Sequence, residues 1–541
     1  MQRLRNLPRR PCDADCRTRC GEIILAGVDL IPTGRFPAPV RDCFVAATDH
    51  ARRVAVLASV EAVLGWDEQT MLPAAGGAHR ADQAAELAAV VHRERTSAEQ
   101  GERLRMLAAG PVGQAGSEDE RAAVRLLLED YEKQARTPAR LVAELARVGV
   151  EAQQAWVRAR SESAWHLLEP WLERMFALKR ELAACRAPGL DAYDALLDDF
   201  EPGCRWRSLA GVFRELREGV GEFARRCAAA SRRPDDRFLI EGAYPVDSQR
   251  TFVTAVASRI GFDFRRGRLD ATAHPFCTAL GPDDCRITTR WNERALPSAL
   301  FGVLHEAGHG LYEQGLRRQW YGLPPGEAAS LGVHESQSRL WENLVGRSLP
   351  FWRWCLPLAR QAFPETQAAG SAERMREALA AVRPSFIRVE ADEVTYNLHV
   401  MLRFDLERAV VHGELAVADL PAAWNERIAA DFGIRPPDDA RGVLQDIHWS
   451  AGLVGYFPTY TLGNVYAAQL MAAVRRDLPD LDADVAQGHF APLLDWLRQR
   501  VHALGRVLTP DRLIEQATGA PVSAAWLVAS LRERYGPPHG L

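Results

Sequence analysis

Lysine is nearly missing from this chain: Lys133 and Lys179 are the only two in 541 residues. Arginine carries almost all the positive charge, and acidic residues still outnumber basic ones, 71 to 67, for a net charge of −4. An excess of positive charge is therefore absent, and with it the electrostatic footprint of a nucleic-acid binder. No run of about 18 apolar residues occurs, so no segment is expected to span a membrane. The apolar stretch Ile23 to Ile31 is interrupted by Asp29 and is followed by no small-residue cleavage pattern. A secretory signal is thus not expected, and a reducing cytoplasm is the expected compartment. The ten cysteines include no C-x-x-C pair. Cys12, Cys16 and Cys20 are evenly spaced, but they lie among arginines with no histidine nearby, so no metal or cluster site is expected there.

What remains is ordinary for a globular enzyme-sized chain, with 47% hydrophobic and 26% charged residues. Residues 1–36, rich in arginine, cysteine and proline, read as a disordered extension, and 37–541 as one continuous domain. From about Asp42 helical signals dominate. Val54, Leu57, Val60 and Leu64 form an apolar stripe that ends at Pro73. Ala81 to Val91 carries a second helix, Ser117 with Glu120 is a capping box, and Thr137–Pro138 opens another helix. Further helices are expected from about 170 to 184 and from 208 to 230. The pattern changes between about Phe262 and Trp291, where Arg286 to Trp291 is β-prone. That strand is either an edge able to pair with an extended substrate or a plain connecting hairpin. The expected architecture is mainly α, with a small sheet beside the stretch described next.

That stretch is Leu304 to Gly315, LHEAGHGLYEQG. His305 and His309 are four residues apart, so on a helix both imidazoles share one face and can address a single ion. Glu306 lies about 100° round the helix, within reach of a water on that ion. With 14 histidines in the chain, roughly 0.03 matches to H-E-x-x-H are expected by chance. Pro297 suits a first helical turn, and Leu300, Phe301, Leu304 and Leu311 make an apolar stripe. The motif is expected on a buried helix. It is the pattern of zinc hydrolases, in which two histidines hold the metal and the glutamate is the general base.

A catalytic zinc usually takes a third protein ligand. The chain has Tyr312 and Gly315 where a metzincin would need glycine and histidine, which excludes that class. The segment Gly332 to Asn343 reads as a helix one loop downstream, able to pack antiparallel on the first. On pattern alone His334, Glu335 and Glu342 all remain eligible, whereas Glu313 lies about 12 Å along the axis from His305, too far for one ion.

Seven stretches, in order along the chain, carry a family resemblance. They are Trp66 to Pro73, His274 to Phe276, Arg286 to Arg290, the HEAGH motif, His334 to Gln337, Ile387 to Asp392 and Gly442 to Trp449. Together they resemble the carboxypeptidase Taq family of metallocarboxypeptidases over nearly everything after about residue 40. The resemblance implies a mainly helical body with a deep active-site groove, a homodimer, and one zinc or cobalt ion per chain. It also selects Glu335 as the third ligand. Trp291 departs from the tyrosine usual in the family, and residues 1–36 fall outside its pattern. The activity implied is hydrolysis of the last peptide bond of peptides, releasing single amino acids with broad specificity. An endo-oligopeptidase using the same chemistry and a helical scaffold with a structural metal are the alternatives, and Glu306 argues against the scaffold.

For such a reaction Glu306 would move the proton of the attacking water. Tyr456, Tyr460 and His448 are candidate donors to the oxyanion. An exopeptidase must also grip a free carboxylate, which arginine does best through two parallel hydrogen bonds. Arg388 and Arg286 are the candidates, each with a salt-bridge alternative, to Asp392 and Asp284 respectively. Gln445 and His448 either line the same end of the groove or are packed structural residues.

Overall fold

The structure, a computed structural model, describes residues 36–541; the cysteines at 12, 16 and 20 and the Ile23 to Ile31 stretch lie outside the described residues. It is 70% helical with one three-stranded sheet, the architecture expected from the sequence. The early helices fall where the caps and stripes placed them. Helix α1 (Ala38–Thr70) is followed by helices at Gly77–Arg95, Glu118–Ala135 and Ala139–Glu162, and the Ser117–Glu120 capping box is formed in both directions. The α1 stripe is only partly buried, since Val54 is 9% exposed but Val60 is 46% exposed. Ala55, Ala58, Ser59 and Ala62, on another face of α1 from Val60, line an open cavity.

The sheet comprises β1 (Gly267–Ala271), β2 (Cys277–Gly281) and β3 (Asp284–Thr289), in the order β1-β3-β2. β1 runs parallel to β3 and β2 antiparallel to it. This corrects the edge expectation: the Arg286 strand is central, paired on both sides, and the free edge beside the cavity belongs to β2. Alternation along β3 then separates its side chains by face. Cys285 and Ile287 are buried, and Cys285 faces the helix that follows. Arg286 points to the other face, where it and Arg268, its direct partner on β1, both lie over the Trp66 ring of α1, at 4.2 and 5.0 Å.

Helix α2 (Leu296–Gly315) starts with proline in its first turn and carries the histidine motif. Leu300, Phe301, Leu304 and Leu311 are all at most 3% exposed, and each such side chain contributes about 1.5–3 kcal/mol on burial. Helix α3 (Leu331–Arg339) returns against it and runs on into a π-helical stretch, Leu340–Val345. The two helices nearly touch at Gly308, where a Cβ would lie 2.6 Å from Ser338 Cα. Only glycine lets the backbones approach this closely, and the approach brings Glu335 up to the histidines. Helices α4 (Glu393–Val411) and α5 (Pro458–Asp477) complete the surround. α5 presents Gly463 directly to Glu335, since a Cβ there would meet Glu335 Cγ at 2.4 Å.

Candidate metal centre

His305 and His309 emerge from one face of α2, and Glu335 meets them from α3. The ligand atoms of these three side chains all lie within 4.8 Å of one another, the one such group found among the described residues. Glu335 Oε2 stands 3.4 Å from His309 Nε2 and 3.8 Å from His305 Nε2. Two imidazoles and a carboxylate are the donor set of a catalytic zinc that keeps one position open. The residues therefore fit a divalent ion.

The partners behind the ligands fit it as well. His305 Nδ1 is 2.9 Å from Glu342 Oε2. A carboxylate can only accept, so His305 carries its proton on Nδ1 and leaves the Nε2 lone pair free. On the other histidine the chain is one link longer. Glu313 Oε1 accepts from His334 Nε2, 2.8 Å away, and the two Nδ1 atoms of His334 and His309 face each other at 2.5 Å. His334 must then accept at Nδ1, His309 must donate from its own, and Nε2 of His309 is again free. The three residues that spacing left as rivals or set aside thus act on the ligands: Glu342 and His334 orient an imidazole each, and Glu313 orients His334. Because ligand orientation of this kind typically accounts for 10- to 100-fold in metal affinity, Glu342→Gln is expected to weaken divalent-metal binding by about that factor, read by chelator competition. An unchanged affinity would remove Glu342 from the site.

Charge is arranged to match. Glu335 also accepts from Arg339 Nε at 2.7 Å. Burial alone would raise the Glu335 carboxyl, but Arg339 and the two histidines outweigh it and hold it well below the usual range. Glu342 is brought down to about 2 against burial by its bond to His305 and by Arg339. Glu306 is the contrast: 5% exposed, it is pushed up to about 7, chiefly by burial. Two carboxylates that stay ionised stand beside a third whose basicity approaches neutrality, which is what a proton-transferring group needs.

Across from the ligands lies an aromatic and cationic cluster on α4, α5 and the loop between Asp446 and Phe457. The Tyr396 ring carries Arg339 at 4.8 Å and has Arg388 at 5.9 Å, linking the Glu335 side to Arg388. Arg388 is 5% exposed; its Nε and Nη2 donate to Asp446 at 3.2 and 2.8 Å and its Nη1 to the Tyr396 hydroxyl at 3.1 Å. Its expected partner Asp392 instead caps α4, accepting from the Val394 and Thr395 N–H groups. His448 Nε2 is 3.3 Å from the Tyr460 hydroxyl, and the Tyr456 and Tyr460 rings stand 5.3 Å apart. Burial and the charge of Glu335 raise the Tyr456 phenol, so it keeps its proton.

For two candidates the contacts match the structural alternative. Arg286 forms a two-pronged pair with Asp284 at 2.9 and 2.7 Å and stacks on Trp66, on the sheet face turned away from α2. Strand alternation puts it there, with Asp284 as its carboxylate partner. Gln445 has both ends of its amide engaged: Oε1 accepts from the Arg388 N–H at 2.8 Å, and Nε2 donates to Phe386 and Gly442 carbonyls at 3.0 Å. It fixes the Arg388 turn. Glu407 had no sequence signal at all. Fully buried on α4, it accepts from Gly455 N–H and Trp449 Nε1 at 2.7 Å and from the Tyr193 hydroxyl at 2.8 Å. Its carboxylate grips the loop at both ends, between His448 and Tyr456.

A sequence model of the carboxypeptidase Taq (M32) metallopeptidases matches residues 46–535. The chain belongs to that family. Thermostable carboxypeptidase 1 of Thermus thermophilus is 46% identical over 501 residues, covering 91% of this chain and 98% of the relative. Carboxypeptidase 1 of Bacillus subtilis is 36% identical over 487 residues, covering 90% and 97%. Among solved structures, an M32 carboxypeptidase from Deinococcus radiodurans superposes with a TM-score of 0.89 at 40% identity, covering 92% of this chain and 100% of that one. This M32 chain is accordingly a metallocarboxypeptidase, a peptide hydrolase. Among the described residues of the M32 fold, no helix is long and apolar enough to cross a membrane.

Proposed function

We propose that this metallocarboxypeptidase releases single C-terminal residues, with broad specificity, from peptides bound along β2, using one zinc ion held by His305, His309 and Glu335. The observation that carries the assignment of the centre is the convergence of those three donor groups within 4.8 Å, with Glu306 beside them. Zinc held there supplies Lewis-acid polarisation of the scissile carbonyl and acidifies water; cobalt would serve the same chemistry. Glu306 takes the proton of the attacking water and returns it to the leaving amine. Tyr456, still protonated, donates to the developing oxyanion, with Tyr460 and His448 behind it. Burial holds His448 down at about 4, so it acts as a neutral imidazole.

Arg388 grips the substrate carboxylate. It keeps part of its guanidinium toward the cluster while Asp446 fixes its plane. Upstream residues of the peptide lie along the free edge of β2, in the cavity of about 470 Å³ bounded by α1, which meets a second cavity of about 510 Å³ at Arg95, Gly322 and Glu327. The test compares a short peptide with its C-terminal amide by mass spectrometry. Stepwise shortening of the free acid only is expected. Internal cleavage of both would replace the exopeptidase reading with an endopeptidase.

The proposal extends to a homodimer in a reducing cytoplasm. The seven described cysteines are all free. Val56, Val60 and Val63 of α1, 37–46% exposed and spaced i, i+4, i+7, give an apolar stripe that a second copy could cover. Sedimentation is expected to return twice the 60.0 kDa chain mass; a mass of one chain would exclude the dimer.

A further inference from the structure

The sheet beside α2 carries two thiols that hydrolysis does not use. Cys277 on β2 and Cys285 on β3 point to the same face, with their Sγ atoms 3.6 Å apart. They form a diagonal pair, since Cys285 stands opposite Ala279 and Cys277 opposite Ile287. The face is the one that meets α2, because a Cβ at Gly310 would come within 3.4 Å of Cys285 Sγ. Cys285 is buried, whereas Cys277 is partly exposed and lines the cavity along the β2 edge. Cys277 thus lies on the cavity side, with Cys285 behind it. Among the described residues no other two thiols stand within hydrogen-bonding distance.

We propose that Cys277 and Cys285 are a reversible modification site, which a peroxide closes into an intrachain disulfide tying the free-edged strand β2 to β3. The Cys277 sulfur attacks one peroxide oxygen, giving a sulfenic acid and one water. The Cys285 sulfur then attacks the sulfenic sulfur, the S–S bond forms, and the hydroxyl leaves with the thiol proton as a second water. The two thiols supply the two electrons that reduce the peroxide, and a dithiol reductant reverses the change. The sulfurs close from 3.6 Å to about 2.05 Å as the bond forms. The neighbouring Cys285 thiol, burial, and the charges of Glu306 and Glu313 hold the Cys277 thiol well above its ordinary value. Since the thiolate is the reactive form, the pair resists mild oxidants and closes under excess peroxide.

This inference stands apart from the hydrolytic reading, and its test does not use activity. The full chain is treated with excess hydrogen peroxide, quenched in acid, unfolded with iodoacetamide and digested with trypsin. Cleavage after Arg268 and Arg286 leaves both cysteines in one peptide, Leu269 to Arg286. That peptide is expected about 2 Da lighter than its reduced form, for the two hydrogens lost as the S–S bond forms, and unalkylated. Reduction with dithiothreitol before alkylation is expected to restore two alkylated sites. In Cys277→Ser, or in Cys285→Ser should the first fold poorly, the remaining thiol is expected to escape the disulfide. Two alkyl groups on the oxidised peptide, or a sulfinic acid at Cys277 beside an alkylated Cys285, would overturn the proposal.

Discussion

Glu306→Gln is expected to keep the metal and to lose about 100- to 10,000-fold in kcat, the usual contribution of a positioned general base. The substitution preserves shape, and Glu306 is not among the three converging donors, so metal content by elemental analysis is expected to match the parent. What it removes is the one carboxylate near the centre whose basicity burial has lifted to about 7. Glu335 and Glu342 cannot stand in, because Arg339 and the histidines keep both in the low range of strong acids. KM is expected to change little, since the lost interaction belongs to the transition state. A variant that keeps its metal and turns over within tenfold of the parent would take the base role away from Glu306.

Asp446→Asn is expected to be the most destabilising single change near the groove. Asp446 accepts from Arg388 Nη2 through Oδ1 at 2.8 Å and from Arg403 Nε through Oδ2 at 2.6 Å. Arg403 is completely buried and Arg388 nearly so. Neutralising the carboxylate leaves two buried cations without their counter-charge, and breaking a buried pair in this way costs about 3–5 kcal/mol. The sign of the linked pH effect follows. Burial by itself would raise the Asp446 carboxyl, but Arg403 and Arg388 outweigh it and hold the group far below its ordinary value. A depressed carboxyl contributes stability that is complete above its unfolded value of about 3.9 and is lost as pH falls below it. The parent is therefore expected to lose part of its margin over Asp446→Asn below about pH 4 and to keep all of it near neutrality. Thermal midpoints across that range measure it, and equal midpoints at pH 7 would contradict the account.

Much of this was legible in the order of residues. Helices could be placed from proline, caps and apolar spacing, because those signals are local. The two histidines could be assigned to one helix face because four residues and one turn nearly coincide, and Glu306 to a position about 100° round from His305. What failed were statements about neighbours. Val60 belongs to a sound helical stripe, yet it is left exposed in the fold. Arg286 sits in a family-like stretch, but the pleat of β3 turns it to the face that carries Trp66. Glu407 is unremarkable in sequence, and its carboxylate matters only through three donors drawn from Tyr193, Trp449 and Gly455.

By itself, then, the sequence determined the helical class, the motif helix with its histidines and base, and the short field of residues eligible to complete the donor set. Spacing along one chain settles these, since i to i+4 geometry is the same in every helix. Spacing left His334, Glu335 and Glu342 open and the family resemblance selected Glu335; the tertiary structure supplies the physical reason, in how closely α3 approaches α2 at Gly308 and α5 approaches Glu335 at Gly463. The same approach sorts the remaining side chains: Glu335 faces the Nε2 atoms, while Glu342 and His334 meet the Nδ1 atoms. A distance of a few ångströms between backbones separates a ligand from its support, and helix spacing alone does not encode it.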